Sequence, residues 1–284
     1  MLSVLCLARQ NLYCVFQDKA AYRQYNQMVF KGINDFCQNK DYRMVSFSYS
    51  DKKDIRDRTY KIKDNNAGII FVGPWLKSES EWLYRYRGNR FNDILLFDSS
   101  CDVKDISTLK INREDLGILL GISTLIFPSP YLFIQNRDLS YLDDIRIGIE
   151  KSFKQKGNIL PTTYINTDIL NTKNTHKYLQ RIIGDANTII IATGPVNKLS
   201  AWAGEILNKK VILHGNISFS ERKYPSLMVH SSIDLTSAVV AFLERCLYRK
   251  KGIDLEISIR TEHFEIDRSR LTTSQRIRIL EESL

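Results

Sequence analysis

Most signatures of a dedicated chemistry are missing from the sequence. Neither Gly-x-Gly-x-x-Gly nor Gly-x-x-x-x-Gly-Lys-Ser/Thr occurs, so the common glycine-rich cradles for dinucleotides and nucleotide phosphates are absent. Gly-x-Ser-x-Gly is absent too, and with it any sign of a nucleophile elbow. The 4 histidines (His176, His214, His230 and His263) show no metal-ligand spacing, and no Cys-x-x-Cys is present. No catalytic residue, cofactor or metal is therefore expected, and the chain reads as a non-enzyme. Its 5 cysteines (Cys6, Cys14, Cys37, Cys101 and Cys246) are odd in number and scattered, four of them in or beside apolar runs. That pattern argues against a disulfide framework and for buried thiols in a reducing, cytoplasmic compartment. No apolar run approaches the roughly 20 residues that span a bilayer. Met1 to Ala8 lacks the basic leader and the length of a secretion signal, so no membrane partner is expected.

What is present is an ordinary globular composition, 43% hydrophobic and 26% charged, over 284 residues, a length that suits two cores rather than one. The charge balance, 41 − 32 = +9, raises nucleic acid as a partner. The basic residues are spread along the chain, with denser spots at Tyr84-Arg85-Tyr86-Arg87 and Arg249-Lys250-Lys251. A solvated basic face is the plain reading of both. The first also interleaves tyrosine with arginine, as single-strand binders do, but is too short to stand alone.

The chain repeats itself. Lys31-Gly32-Ile33-Asn34-Asp35-Phe36-Cys37-Gln38-Asn39-Lys40 is echoed by Ile147-Gly148-Ile149-Glu150-Lys151-Ser152-Phe153-Lys154-Gln155-Lys156. After each comes an apolar run, Met44–Tyr49 and Leu160–Ile165; then Ile69–Gly73 and Ile189–Gly194; then Asp93–Phe97 and Lys210–His214. Landmarks that keep their order at a nearly constant offset indicate one α/β unit present twice. The first copy opens with a strand at Ser3–Ala8 and a long loop at Arg9–Ala20, followed by a helix with apolar positions 22, 25, 29, 33 and 36. Leu116–Phe127 is apolar nearly all round, a buried or interface helix, and Phe127-Pro128-Ser129-Pro130 stops it where the chain crosses between lobes. Leu199, Trp202, Ala203 and Ile206 mark an amphipathic helix in the second copy. Ile233–Tyr248 is a long helix, Ile253–Ile266 alternates as a half-exposed strand, and Thr272-Thr273-Ser274-Gln275 is a capping box for a tail helix.

This order of strands, the glycine-bearing first helix of each copy, Asp98 closing a strand, and Val229-His230-Ser231-Ser232-Ile233-Asp234-Leu235 ahead of a long helix resemble one known family. It is the ligand-binding domain of LacI/GalR-type bacterial regulators, with the type I periplasmic-binding-protein fold. The resemblance runs from Ser3 to about Arg270 and lies in layout: Thr193-Gly194 stands where the family has Asn-Asp, and Ile145 where it has arginine. It implies an α/β protein of two similar Rossmann-like lobes with parallel sheets flanked by helices. Residues 1–128 with about 232–254 would form the first lobe, 129–231 with about 255–270 the second, and 271–284 a tail helix. It further implies a small-molecule effector-binding module of a transcriptional regulator, closing its lobes on a sugar and reaching DNA only through a head domain missing from this chain. The alternative is a stand-alone or transporter-linked solute-binding protein. A homodimer is expected through Leu116–Phe127 and Ile233–Tyr248, both richer in apolar positions than one buried face requires.

Open α/β sheets bind ligands beyond the carboxyl ends of their strands. The candidate ligand-binding residues are therefore Asn11, Phe16, Trp75 and Asp98 in the first lobe, and Arg137, Tyr141, Arg146, Thr193, Asn216 and His230 in the second. Trp75 would stack on a sugar ring while Asp98 and Asn216 hydrogen-bond its hydroxyls. Each has a plainer alternative: Trp75 as a buried surface aromatic, Asp98 as an Asx turn, His230 as a satisfied hinge histidine, Arg146 as a solvated helix residue. The two second-lobe arginines leave an acidic sugar or a purine open.

Overall fold

The computed structural model describes residues 10–64, 67–87, 90–166, 174–192, 205, 207–215, 225–247, 252–257, 264–266 and 271–275. The chain divides into two units, Met1–Ile111 with Asp234–Ile257, and Asn112–Ile233 with Ser258–Leu284. In chain order the first stretch is β1 (Gln10–Gln17), α1 (Arg23–Asn39), β2 (Tyr42–Tyr49), α2 (Lys52–Lys61), β3 (Gly68–Val72), α3 (Lys77–Arg87), β4 (Asp93–Phe97) and β5 (Ile106–Ile111). The second is α4 (Arg113–Thr124), β6 (Tyr131–Asn136), α5 (Asp143–Gln155), β7 (Thr162–Ile165), α6 (Thr175–Ile183), β8 (Thr188–Ala192), β9 (Lys210–His214) and β10 (Leu227–Ser231). The chain then returns to unit 1 with α7 (Leu235–Cys246) and β11 (Asp254–Ile257), and ends in unit 2 with β12 (Phe264–Ile266).

Each unit holds one 6-stranded sheet, in the order β11-β5-β4-β3-β1-β2 and β12-β10-β9-β8-β6-β7. With β1–β5 matched to β6–β10 the two orders are the same, which is the duplication legible in the sequence. All pairings are parallel except β10 with β12. Parallel strands covered by helices bury both faces and so read as continuous apolar runs. Ile69, Ile70 and Phe71 of β3 and Ile189, Ile190 and Ile191 of β8 are all fully buried.

The echoed glycines have the same use in both units. Gly32 lies where α1 crosses α7: a Cβ there would come within 2.6 Å of the Thr236 carbonyl oxygen, and Thr236 Oγ1 donates to the Met28 carbonyl across the same crossing. Gly148 lies where α5 crosses α4, and a Cβ on it would come within 2.8 Å of Ile118 N and closer still to the Glu114 carbonyl. Gly117 and Gly121 answer it from α4. Small residues let the two backbones touch, and the helices gain van der Waals contact along their length.

Several sequence expectations change. The strand at Ser3–Ala8 lies outside the described residues, and the segment expected as a loop is β1. It is a central strand paired on both sides, with Leu12, Cys14 and Val15 fully buried and its polar letters confined to the ends. Ile253–Ile266 is not one strand: β11 joins β5 in unit 1, and β12 joins β10 in unit 2. The chain passes to unit 2 after Ile111, so α4, placed in the first lobe by sequence, packs on α5 instead. The apolar surplus of α4 and α7 is thereby spent inside the units, on α5 and α1, and no longer argues for a dimer through these helices. The capping box is present, Gln275 N–H donating to Thr272 Oγ1 and Thr272 N–H to Gln275 Oε1. The Leu199–Ile206 helix falls outside the described residues, as do Ile277 and Leu280.

Candidate functional site

Both sheets place a cluster of polar and aromatic groups at the carboxyl ends of their strands, and the two clusters differ in chemistry. In unit 1 β3 ends at Gly73, whose φ of 103° and closeness to the Trp75 ring leave no room for a Cβ. The turn it permits lays the half-buried Trp75 flat on Tyr22, with ring centroids 3.8 Å apart and planes 5° from parallel. Tyr25 meets the Trp75 ring edge-on at 5.2 Å. Its hydroxyl donates 2.9 Å to Asp98 Oδ2 just beyond the end of β4, where Asp98 has a φ of 69° and is 3% exposed. Tyr25 therefore ties together two of the four first-lobe candidates, Trp75 and Asp98. Tyr22 and Tyr25 themselves were read only as apolar positions of the helix. A tyrosine on the first turn after a strand end carries a hydroxyl that reading ignored.

Of the other two first-lobe candidates, Asn11 is moved to the far end of the sheet by the position of β1 and Phe16 stays at the carboxyl end. Asn11 is the second residue of that strand, at the amino end of the sheet, and its side chain donates 2.6 Å to Asp64 Oδ2. Phe16 is a strand residue, 4% exposed, packed 6.1 Å from Phe30. With Lys19, Arg23, Asn26 and Ser48 it lines an open cavity of ≈ 370 Å³ beside the edge strand β2.

In unit 2 the cluster is built on His214, His230, Ser231 and a residue the sequence reading did not single out, Arg113. Arg113 opens α4, which Asn112 caps by accepting the Asp115 N–H at 3.2 Å. It is 4% exposed and lies over the Tyr141 ring, 4.9 Å from the centroid. His214, at the end of β9, shares a hydrogen bond of 3.0 Å with the fully buried Ser231 of β10. Burial, then the charges of Arg113 and His230, push the His214 pKa down to about 3, so its imidazole is neutral at physiological pH. His230 Nε2 donates to the Gly215 carbonyl, the satisfied histidine foreseen as its plainer reading. The His214–Ser231 pair has the outline of a base and nucleophile. A base of such low pKa is a poor acceptor, however, and the buried serine is a strand residue, so the geometry favours a fixed neutral hydrogen bond.

The remaining second-lobe candidates divide. Tyr141 joins the Arg113 group. Arg137 is exposed, its guanidinium 5.5 Å from the Tyr164 ring. Arg146 on α5 is paired with Glu150 at 2.7 Å and Asp143 at 3.9 Å, and its buried Nε has no hydrogen-bond partner. Thr193 and Asn216 lie outside the described residues. At the end of β6, Gln135 donates 2.9 Å to Asp143 Oδ1 while its own buried Oε1 has no hydrogen-bond partner, and Asn136 accepts the Asp138 N–H in a turn. Among the described residues no group of His, Cys, Asp and Glu is arranged to hold a metal ion.

No family model and no curated protein matches the sequence. Solved structures do. A LacI family transcriptional regulator from Enterococcus faecium with bound ribose superposes with a TM-score of 0.68 at 12% identity, over 89% of this chain and 96% of that one. This is the type I periplasmic-binding-protein fold. An ABC-transporter solute-binding protein from Aeropyrum pernix shares it, with a TM-score of 0.66 at 11% identity over 96% of this chain and 80% of its own. So does a periplasmic binding protein/LacI transcriptional regulator from Alkaliphilus metalliredigens complexed with D-xylulofuranose, at 0.62 and 13% over 87% and 95%. No described helix is long and apolar enough to cross a membrane.

Proposed function

We propose that this chain is a sugar-binding effector module of a transcriptional regulator. The observation that carries the reading is the unit 1 cluster, in which a half-buried Trp75 is braced on Tyr22 and an adjacent carboxylate, Asp98, is oriented by Tyr25. Pyranose and furanose rings present apolar C–H faces to aromatics and hydroxyl edges to carboxylates, and this cluster offers both on one rigid base. The sugars bound to two of the fold relatives support the same class. The remaining parts of the reading are homodimerisation, a cytoplasmic setting, and sequence-selective contact with duplex DNA through a head domain. A transporter-linked solute-binding protein is the second reading, favoured by the similarity to the Aeropyrum pernix protein.

The test is a thermal-shift screen over sugars, sugar acids, nucleosides and amino acids, followed by calorimetry on any hit. Trp75→Ala or Asp98→Asn should weaken the hit by about 1–3 kcal/mol through lost stacking or an unpaired buried group. Substitution of Arg113 or Tyr141 then asks whether the unit 2 cluster takes part in the same binding event. Stabilisation by an amino acid or nucleoside alone would refute the sugar, and no stabilisation by any class would refute the effector module.

A further inference from the structure

A second surface of unit 1 has a different chemistry. On α2, Lys53, Arg56 and Tyr60 follow at intervals of three and four and so share one helix face; on α3, Arg85 and Tyr86 lie three and four residues after Trp82 and so flank it on one face. The two faces meet. Tyr60 and Trp82 have ring centroids 6.5 Å apart, and Trp82 and Tyr86 5.2 Å. Tyr86 is 67% exposed and Tyr60 50%. These rings are held in place. The Arg87 guanidinium lies 4.0 Å from the Tyr60 centroid and donates to the Tyr60 and Ile62 carbonyls. Arg56 lies 5.3 Å from the Trp82 centroid while its Nε donates 2.6 Å to the buried Glu79.

We propose that this α2–α3 face binds single-stranded nucleic acid, with bases stacked on Tyr60 and Tyr86 and phosphates drawn to the surrounding cations. Exposed aromatic faces accept any base, and a cationic border supplies the rest of the affinity. The border is present: Lys53, Lys61, Lys63 and Arg85 are exposed, and none is ion-paired to an acid among the described residues, whereas Arg58 and Lys77 are spent on Asp54 and Glu81. The identity of these cations separates this occupant from a protein partner. Protein interfaces also concentrate Trp, Tyr and Arg but are depleted in lysine, and three of the four uncommitted cations here are lysines. The chain's charge of +9 adds a long-range attraction of the same sign.

The experiment is fluorescence anisotropy of a labelled oligothymidine of about 15 nucleotides at low salt, with intrinsic tryptophan emission followed in parallel. Micromolar, salt-dependent binding that quenches this emission is expected. Tyr60→Ala/Tyr86→Ala should weaken it by about tenfold or more without lowering the melting temperature, whereas Tyr60→Phe/Tyr86→Phe should retain it. Lys61→Gln/Lys63→Gln should reduce the dependence on salt. Three results would each overturn the proposal: unchanged affinity in the alanine pair, a duplex of the same length bound as tightly as the strand, or no binding of the strand. The last is what a surface made for an acidic protein would give.

Discussion

Replacing Gly148 by alanine tests the α4–α5 crossing. In an exposed helix the exchange stabilises, since alanine is favoured over glycine by about 1 kcal/mol. Here the added Cβ would lie 2.8 Å from Ile118 N and nearer still to the Glu114 carbonyl, both backbone atoms that cannot rotate away. Reaching the 3.4 Å at which ordinary contact begins requires α4 and α5 to part by at least 0.6 Å. A gap of that size forfeits about a quarter to a half of the dispersion energy of every atom pair along the crossing. Overpacking of this kind costs about 1–3 kcal/mol, occasionally more, and at the upper end it outweighs the propensity gain. The expected net loss is about 2 kcal/mol, read as a fall of about 4–8 °C in the melting temperature of unit 2. Gly121→Ala is the internal control, because its Cβ would meet the Ser152 side chain before the nearest backbone atom, Ile149 Cα at 3.2 Å. Ser152→Ala should therefore recover much of the Gly121→Ala loss, with a coupling of about 1 kcal/mol in a double-mutant cycle, and none of the Gly148→Ala loss. A Gly148→Ala protein that melts higher than the parent would refute the crossing.

Further outcomes follow from the same structure. The folded pKa of His214, lowered to about 3, lies below its unfolded value, so the unfolded chain binds the extra proton and stability falls as pH drops from about 6.5 toward 3. His214→Gln should remove about 2 kcal/mol of the loss between pH 7 and pH 5, measured as the shift in urea midpoint. Tyr25→Phe removes one donor from a buried carboxylate and should cost about 1–3 kcal/mol by chemical denaturation, with a smaller cost in an Asp98→Asn background. Cys14, Cys37, Cys101 and Cys246 are buried, and burial raises their thiol pKa values, that of Cys37 to about 11 and that of Cys246 to about 12. An aromatic disulfide reagent at pH 8 should leave these four unlabelled until denaturant is added.

Sequence showed the fold best where one face or both are buried. Ile69–Val72, Ile94–Phe97, Ile189–Ala192 and Val211–Leu213 each fall inside an observed strand because a doubly covered parallel strand favours apolar letters along its length. β1 escaped because Gln10, Asn11 and Tyr13 stand on its exposed half, and Ser3–Ala8 offered a more apolar run. β5 escaped as well: Ser107 and Thr108 interrupt its apolar letters, yet both are buried, Thr108 Oγ1 donating 2.6 Å to Asp254 on the neighbouring β11. At the candidate site, Trp75 and Asp98 could be placed by counting from strand ends. Arg113 could not, since an arginine on the first turn of a helix has the same letter whether solvated or buried over a tyrosine. Arg146 shows the converse, a cation at a promising position that its neighbour Glu150 occupies.

The late return of the chain to unit 1 sets an order of events during synthesis. Residues 112–233 must leave the ribosome before α7 and β11 exist, a wait of roughly 6 to 24 seconds at ordinary elongation rates. Throughout it, the sheet begun by β1–β5 has its β5 edge unpaired, and the Gly32 face of α1 has no helix to receive it. Unit 2 waits less for most of its mass and only for β12 at the end. The nascent chain therefore carries an unfinished half beside a nearly finished one, and a ribosome stalled near residue 233 would release an adhesive open edge rather than an independently folded first half.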